Sequence, residues 1–323
     1  MRALWYDICV AQLLNRKAAA RRDLRIRLLV KGAMQKNSEI ATAKNAAHDA
    51  HASAHDAATN PWSVRLGRCG YVAKGVVYLL IGVLALKAAM GSGGKTTGNA
   101  GAIETLYQQP FGRFLVTIVA IGLFAYALWL FVAAALDLEG KGMEAKGVAT
   151  RLVFAIVGGS YVALGIGALR LALHRSSGGK SSDAQTQDWT ARLLKHPGGV
   201  ALVVLIGLIV LGVAGYFFFE AVTAHFRKKL NLSGAHVGER RWVVPLGRVG
   251  YAALGVVNTI VGIFLIIAAL RNNPGQAKGV GGALAEITQR PYGAFLLGIV
   301  AIGLIAYGAY TFVEARYRQL VRA

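Results

Sequence analysis

The sequence predicts an all-α membrane protein of six transmembrane helices, built as three parallel two-helix repeats around a pseudo-threefold axis. Three observations predict it. The 323 residues are 55% hydrophobic and only 16% charged, against about a quarter charged in a soluble domain. The apolar residues fall in six blocks, at 69–90, 114–136, 152–173, 198–222, 249–270 and 292–313. Each is close to the roughly 20 residues that cross a hydrocarbon core, where only helices and closed barrels satisfy the backbone. Finally, "LGRCGYVAKGVVYLLIG" (Leu66–Gly82) recurs as "LGRVGYAALGVVNTIVG" (Leu246–Gly262).

The chain divides in order. Residues 1–60 are a basic and then Ala/His-rich segment, expected to be disordered or partly helical, with Met34 as an alternative start. Arg21, Arg22, Arg25 and Arg27 suit a surface-lying amphipathic helix. Repeat 1 is residues 61–140, repeat 2 is 141–232, and repeat 3 with a short basic tail is 233–323. Repeat 2 is the most degraded copy. It aligns Arg151 with Arg68 and Arg248, Phe154 with Tyr71 and Tyr251, and "KHPGGVA" (Lys195–Ala201) with "QQPFGRF" (Gln108–Phe114) and "QRPYGAF" (Gln289–Phe295). Each unit reads as helix, polar loop, Pro-Gly-type start and second helix. Two spans per unit give every copy the same orientation, the pattern of parallel repeats related by an axis along the membrane normal.

Glycines recur in the same register. Gly75 and Gly82, Gly158 and Gly165, and Gly255 and Gly262 lie two helical turns apart, so each pair shares a face and lets a neighbouring backbone approach. The GY-xxxG-xxY-xxxG first helix (Gly70, Tyr71, Gly75, Tyr78, Gly82), the threefold repeat and the six spans resemble the bacterial membrane family termed domain of unknown function 1206, over residues 61–318. That resemblance implies an integral membrane protein of about six spans. It supplies no activity and no functional residues.

With both termini in the cytoplasm, the inner loops and tails carry 21 Lys or Arg and the outer loops 7; without residues 1–33 the ratio is 13 to 7. The positive-inside rule therefore places both ends in the cytoplasm, and the family resemblance implies that the membrane is a bacterial inner (plasma) membrane. The formal charge of +21 is absorbed by topology and by anionic lipid at the cytoplasmic face, and no nucleic-acid partner is expected. Cys9 and Cys69 suggest no disulfide framework.

Apparent chemical motifs weaken in context. "AMGSGGKTTG" (Ala89–Gly98) fits a relaxed phosphate loop, but it follows a membrane helix instead of a strand, and reads as a flexible hairpin loop. His48, His51 and His55 could share a helix face, yet low-complexity Ala/His composition yields the same spacing. "GGSYV" (Gly158–Val162) lacks the second glycine of a nucleophile elbow. No catalytic, cofactor-binding or metal residue is assigned, and no cofactor is expected.

Charges at depth are more informative. Lys87 and Arg170 lie near helix ends and can snorkel. Lys74 lies about a turn and a half inside the first span, and with Tyr78, Tyr161 and Asn258 forms a possible solute pathway. At the cytoplasmic mouth, Arg68, Arg151 and Arg248 share one repeat position. Glu220 and Glu314 share another, with Asp137 as the acid of repeat 1. These six predict a ring of three Arg–carboxylate pairs. The functional expectation is a non-enzymatic structural or partner-binding membrane protein, with a small-solute or ion transporter as the alternative.

Overall fold

The computed structural model describes residues 34–36, 42, 45, 61–92, 94–136, 145–174, 181–230 and 237–318. Residues 1–33 and the histidines at 48, 51 and 55 lie outside these, as does Asp137. Nine α-helices run through the described residues after position 60. The six long ones are α1 (Pro61–Ala89), α3 (Gly112–Leu136), α4 (Ala145–His174), α6 (Gly199–Thr223), α7 (Val237–Leu270) and α9 (Gly293–Tyr317). All six are long and apolar enough to cross a membrane. Three short helices, α2 (Asn99–Tyr107), α5 (Ser182–Leu194) and α8 (Val280–Thr288), link the two spans of each repeat. Among the described residues the only strand-like pairing is the single bridge Leu230–Arg318.

The second span of every repeat starts the same way. Phe111, Gly198 and Tyr292 take φ of +60°, +82° and +60°, and the helix begins at the next residue, Gly112, Gly199 or Gly293. A side chain on any of those three glycines would press into the carbonyl of Tyr107, Leu193 or Thr288. The Pro-x-Gly signature is therefore a tight reversal that only glycine fits.

The long helices pack in cyclic order. Each repeat's first span lies against the second span of the repeat before it: α4 on α3, α7 on α6, and α1 on α9. Within repeats 1 and 3 the two spans also pack together, α1 on α3 and α7 on α9. Repeat 2 departs from this, since α4 and α6 share no comparable interface. Five of the six neighbour contacts of a closed ring are thus formed, and the ring stops short between α4 and α6. Burial follows: only 17% of the apolar window of α4 or α6 is buried, against 44–56% for the other spans.

The inter-span segments, read from sequence as polar loops, contain short helices, while the described residues between Met90 and Gly98 stay outside helices as expected. The residues that drive helix formation are apolar: Ala102, Ile103 and Leu106 of α2, and Ala283, Leu284 and Ile287 of α8, are buried. The three loops also meet. Asp183 of α5 accepts hydrogen bonds on Oδ1 from the amides of Gly279 (2.7 Å) and Gly282 (2.9 Å), capping α8 from another repeat. A methyl on Gly281 would lie 3.0 Å from the Gly98 nitrogen, so repeat 1 closes on the same point. Gln187 adds bonds from its Nε2 to the carbonyls of Gly275 and Ala277. Asp183→Ala is expected to cost about 1 kcal/mol, as for a lost N-cap, and to speed proteolysis within residues 272–282 before the spans unfold. Unchanged cleavage would discount the cap.

Glu286 is held by Lys278 and by Arg290 at 2.7 Å. The Lys278 hydrogen bond, foremost, keeps its carboxyl below the usual carboxylate range. A depressed carboxylate contributes stability above its unfolded pKa that is lost as pH falls through the folded one. Acidification below the ordinary carboxylate range should therefore loosen α8, and Glu286→Gln should flatten that dependence in a hydrogen-exchange titration.

Candidate functional site

Lys74 sits on the face of α1 turned to its neighbours, where a tyrosine from each of several helices converges. Its ammonium lies 5.2 Å from the centre of the Tyr307 ring and 5.6 Å from that of Tyr126. Tyr78 meets Tyr307 edge-on at 4.9 Å, and Tyr126 meets Tyr161 edge-on at 4.8 Å. Tyr78 and Tyr161 are also within electrostatic range of the ammonium. A cation over aromatic faces in a desolvated setting gains about 0.5–2 kcal/mol per contact, so the tyrosines offset part of the cost of a charge at this depth. Lys74, Tyr78 and Tyr161 stay half-buried, although all three lie mid-helix and face other spans. Among the described residues no carboxylate forms an ion pair with Lys74.

Of the four residues read from sequence as a possible pathway, the structure brings together Lys74, Tyr78 and Tyr161. Asn258 holds the same repeat position as the two tyrosines but donates its amide to the Leu254 carbonyl of its own helix at 2.8 Å. Tyr126 and Tyr307 went unassigned in the sequence. They close the repeated strings "AIGLFAY" and "AIGLIAY", and that duplication was the signal available.

The repeat glycines lie at the cyclic interfaces. A Cβ on Gly75 would fall 3.1 Å from the Gly308 carbonyl, and on Gly82 2.8 Å from the Ile305 nitrogen, both in α9. Gly158 and Gly165 face Phe131 and Phe124 of α3, and Gly255 and Gly262 face Phe218 and Leu211 of α6.

The charge ring is not formed at Glu220 or Glu314, whereas its third acid, Asp137, lies outside the described residues. Among the described residues no ion pair joins Glu220 or Glu314 to Arg68, Arg151 or Arg248. Glu314, almost fully buried, pairs instead with Arg318 of its own chain end at 2.8 Å and accepts a long hydrogen bond from Tyr310 at 3.4 Å. Arg318 in turn lies over the rings of Tyr71 and Trp129. Arg248 does reach the end of α6, but it donates to the Val222 carbonyl at 3.2 Å. An exposed arginine satisfies the open helix end more cheaply than a buried carboxylate could be reached. Glu220 accepts from the Tyr216 hydroxyl at 2.5 Å, and its Oε2 has no hydrogen-bond partner among the described residues. Ala224 stands where the register of Arg318 would supply a cation. Arg68 is exposed.

The profile of the family described as Domain of Unknown Function (DUF1206) matches three times, over residues 69–137, 152–224 and 249–318. The chain belongs to this family. It is also 34% identical over 262 residues to a Bacillus subtilis (strain 168) protein described as "Uncharacterized protein YxxB", covering 81% of this chain and 94% of that one. No solved structure matches it. The three matched segments coincide with the three helix pairs, so the repeat is a property of the family's own unit.

Proposed function

We propose that this member of the family is a non-enzymatic, multi-pass protein of the bacterial cytoplasmic membrane, with both termini cytoplasmic, that holds a partner within the bilayer. The observation that carries this reading is the lack of an interface between α4 and α6, which leaves both spans largely unburied beyond their contacts with α3 and α7. Native mass measurement in mild detergent tests it. The wild type should retain a bound species that is shed by a variant with Val153→Gly, Ile156→Ala and Ile209→Gly, substitutions that let α4 and α6 meet. Identical masses would overturn the reading. The orientation is checked separately: a reporter after Arg322 should read cytoplasmic, and one near Ser181 external.

Small-solute or ion transport is the second reading, and the convergence of Lys74, Tyr78 and Tyr161 favours it. A cation without a paired carboxylate suits anions. Proteoliposomes should then pass small anions in a manner lost in Lys74→Met, and wild-type vesicles that pass none would discard transport.

A further inference from the structure

The gap in the helix ring is written in the repeat register. Where α1 crosses α3, Gly70 lets the Tyr126 backbone approach, with a Cβ at 2.6 Å from the Tyr126 Cα, and Gly122 sits against Ala73. Where α7 crosses α9, Gly250 and Tyr307, and Gly303 and Ala253, repeat the arrangement. The corresponding positions of repeat 2 are Val153, Ile156, Ile209 and Val213. Every glycine or alanine at the crossing has become a β-branched side chain. These prevent the backbone approach that membrane helices need to associate, and Val153, Ile156 and Ile209 are left exposed. The same substitutions give the opening an apolar lining within the bilayer. Behind it, Tyr161 of α4 leads by edge contact with Tyr126 to Lys74.

We propose that the opening between α4 and α6 admits an anionic phospholipid, with an acyl chain along Val153, Ile156 and Ile209 and the phosphate directed to Lys74. This rests on the partner-binding reading and names its partner class. Exposed apolar side chains on two spans, with an ammonium beyond the Tyr161–Tyr126 contact, match a ligand with an apolar tail and an anionic head. A tail-free anion would gain nothing from the lining, and a zwitterionic head would bring a second cation towards Lys74. The Glu314 carboxylate does not compete for that ammonium, because Arg318 holds it.

The test uses the full chain in phosphatidylcholine vesicles doped with phosphatidylglycerol carrying a photoreactive acyl chain, and in parallel with phosphatidylcholine carrying the same chain. Labelled peptides are mapped. The anionic probe should label the segments around 153–156 and 209–213 about tenfold more than the zwitterionic one, the scale of one charge-assisted contact. It should also exceed labelling at Ile118 and Ile263, ordinary exposed positions on α3 and α7. Lys74→Met should remove the head-group preference while keeping zwitterionic labelling. The Val153→Gly, Ile156→Ala, Ile209→Gly variant should lose both; if it does not fold, Ile156→Trp, which fills the opening, gives the same readout. Labelling at the opening no greater than at Ile118 would sink the partner-binding reading itself. Enriched labelling without head-group preference, or a preference that survives Lys74→Met, would overturn only the anionic lipid. Competition by inorganic phosphate with no lipid labelling would assign Lys74 to a free anion and overturn it likewise.

Discussion

Gly250→Val will sharply lower the melting temperature of the detergent-solubilised protein, and Gly159→Val will leave it nearly unchanged. A methyl on Gly250 would lie 2.6 Å from the Tyr307 Cα and 2.8 Å from its nitrogen, distances at which something must move. What it meets is the backbone of α9, held by its own helical hydrogen bonds, so the two spans have to part. Overpacking of this kind costs typically 1–3 kcal/mol, and with rigid backbone on both sides about 3 kcal/mol is expected. The separation would also carry Tyr307 away from Lys74. A Cβ added to Gly159 of α4 would have nothing within 4 Å of it, so a valine there meets only lipid. Equal effects of the two substitutions would mean that the spans are not held by close backbone approach.

That contrast marks what the sequence disclosed. The spans were legible because length and apolarity alone decide whether a helix can cross, and the Pro-x-Gly starts because glycine is required wherever Gly112, Gly199 and Gly293 recur. The glycine faces were legible too, since a two-turn spacing fixes one side of a helix whatever it packs on. The gap was encoded just as plainly, in Val153, Ile156 and Ile209, but its meaning depends on which helices cross, and spacing along one helix does not give that. The short linking helices were hidden for another reason: α2 and α8 are nine residues each, too short for periodicity to separate them from loop. The pairing of Glu314 failed because charge counting favoured a partner on a neighbouring helix, whereas Arg318, one turn further along the same chain, needs no long reach. Lys74 was visible as an anomaly at depth. Its tyrosine surroundings come from α1, α3, α4 and α9, and only the cyclic packing assembles them.

Removing Glu314 should be the most damaging single change at the end of the bundle where the chain leaves α9. Its side chain is 2% exposed and the Arg318 side chain 14%, so Glu314→Leu strands a guanidinium among Tyr71, Trp129 and Tyr310. Breaking a buried pair from one side costs about 3–5 kcal/mol, enough to unfold a marginal membrane protein in detergent. Adding Arg318→Met should recover most of the loss, since removing both charges leaves none unpaired and restores apolar contact with the two aromatic rings. Glu220 provides the internal comparison. It is as buried as Glu314, but Ala224 takes the place of the arginine and its Oε2 has no hydrogen-bond partner among the described residues. Glu220→Leu is therefore expected to be neutral or stabilising, because a buried carboxylate held by the Tyr216 hydroxyl alone, with no cation beside it, is replaced by an apolar group. Arg248→Glu should shift stability by less than about 1 kcal/mol, since an exposed arginine on a helix-end carbonyl contributes little. Thermal melts of the four variants decide the matter together. If Glu314→Leu is mild, if Arg318→Met fails to rescue it, or if Arg248→Glu proves the more damaging, then Arg318 is not the group that keeps the Glu314 charge inside the protein.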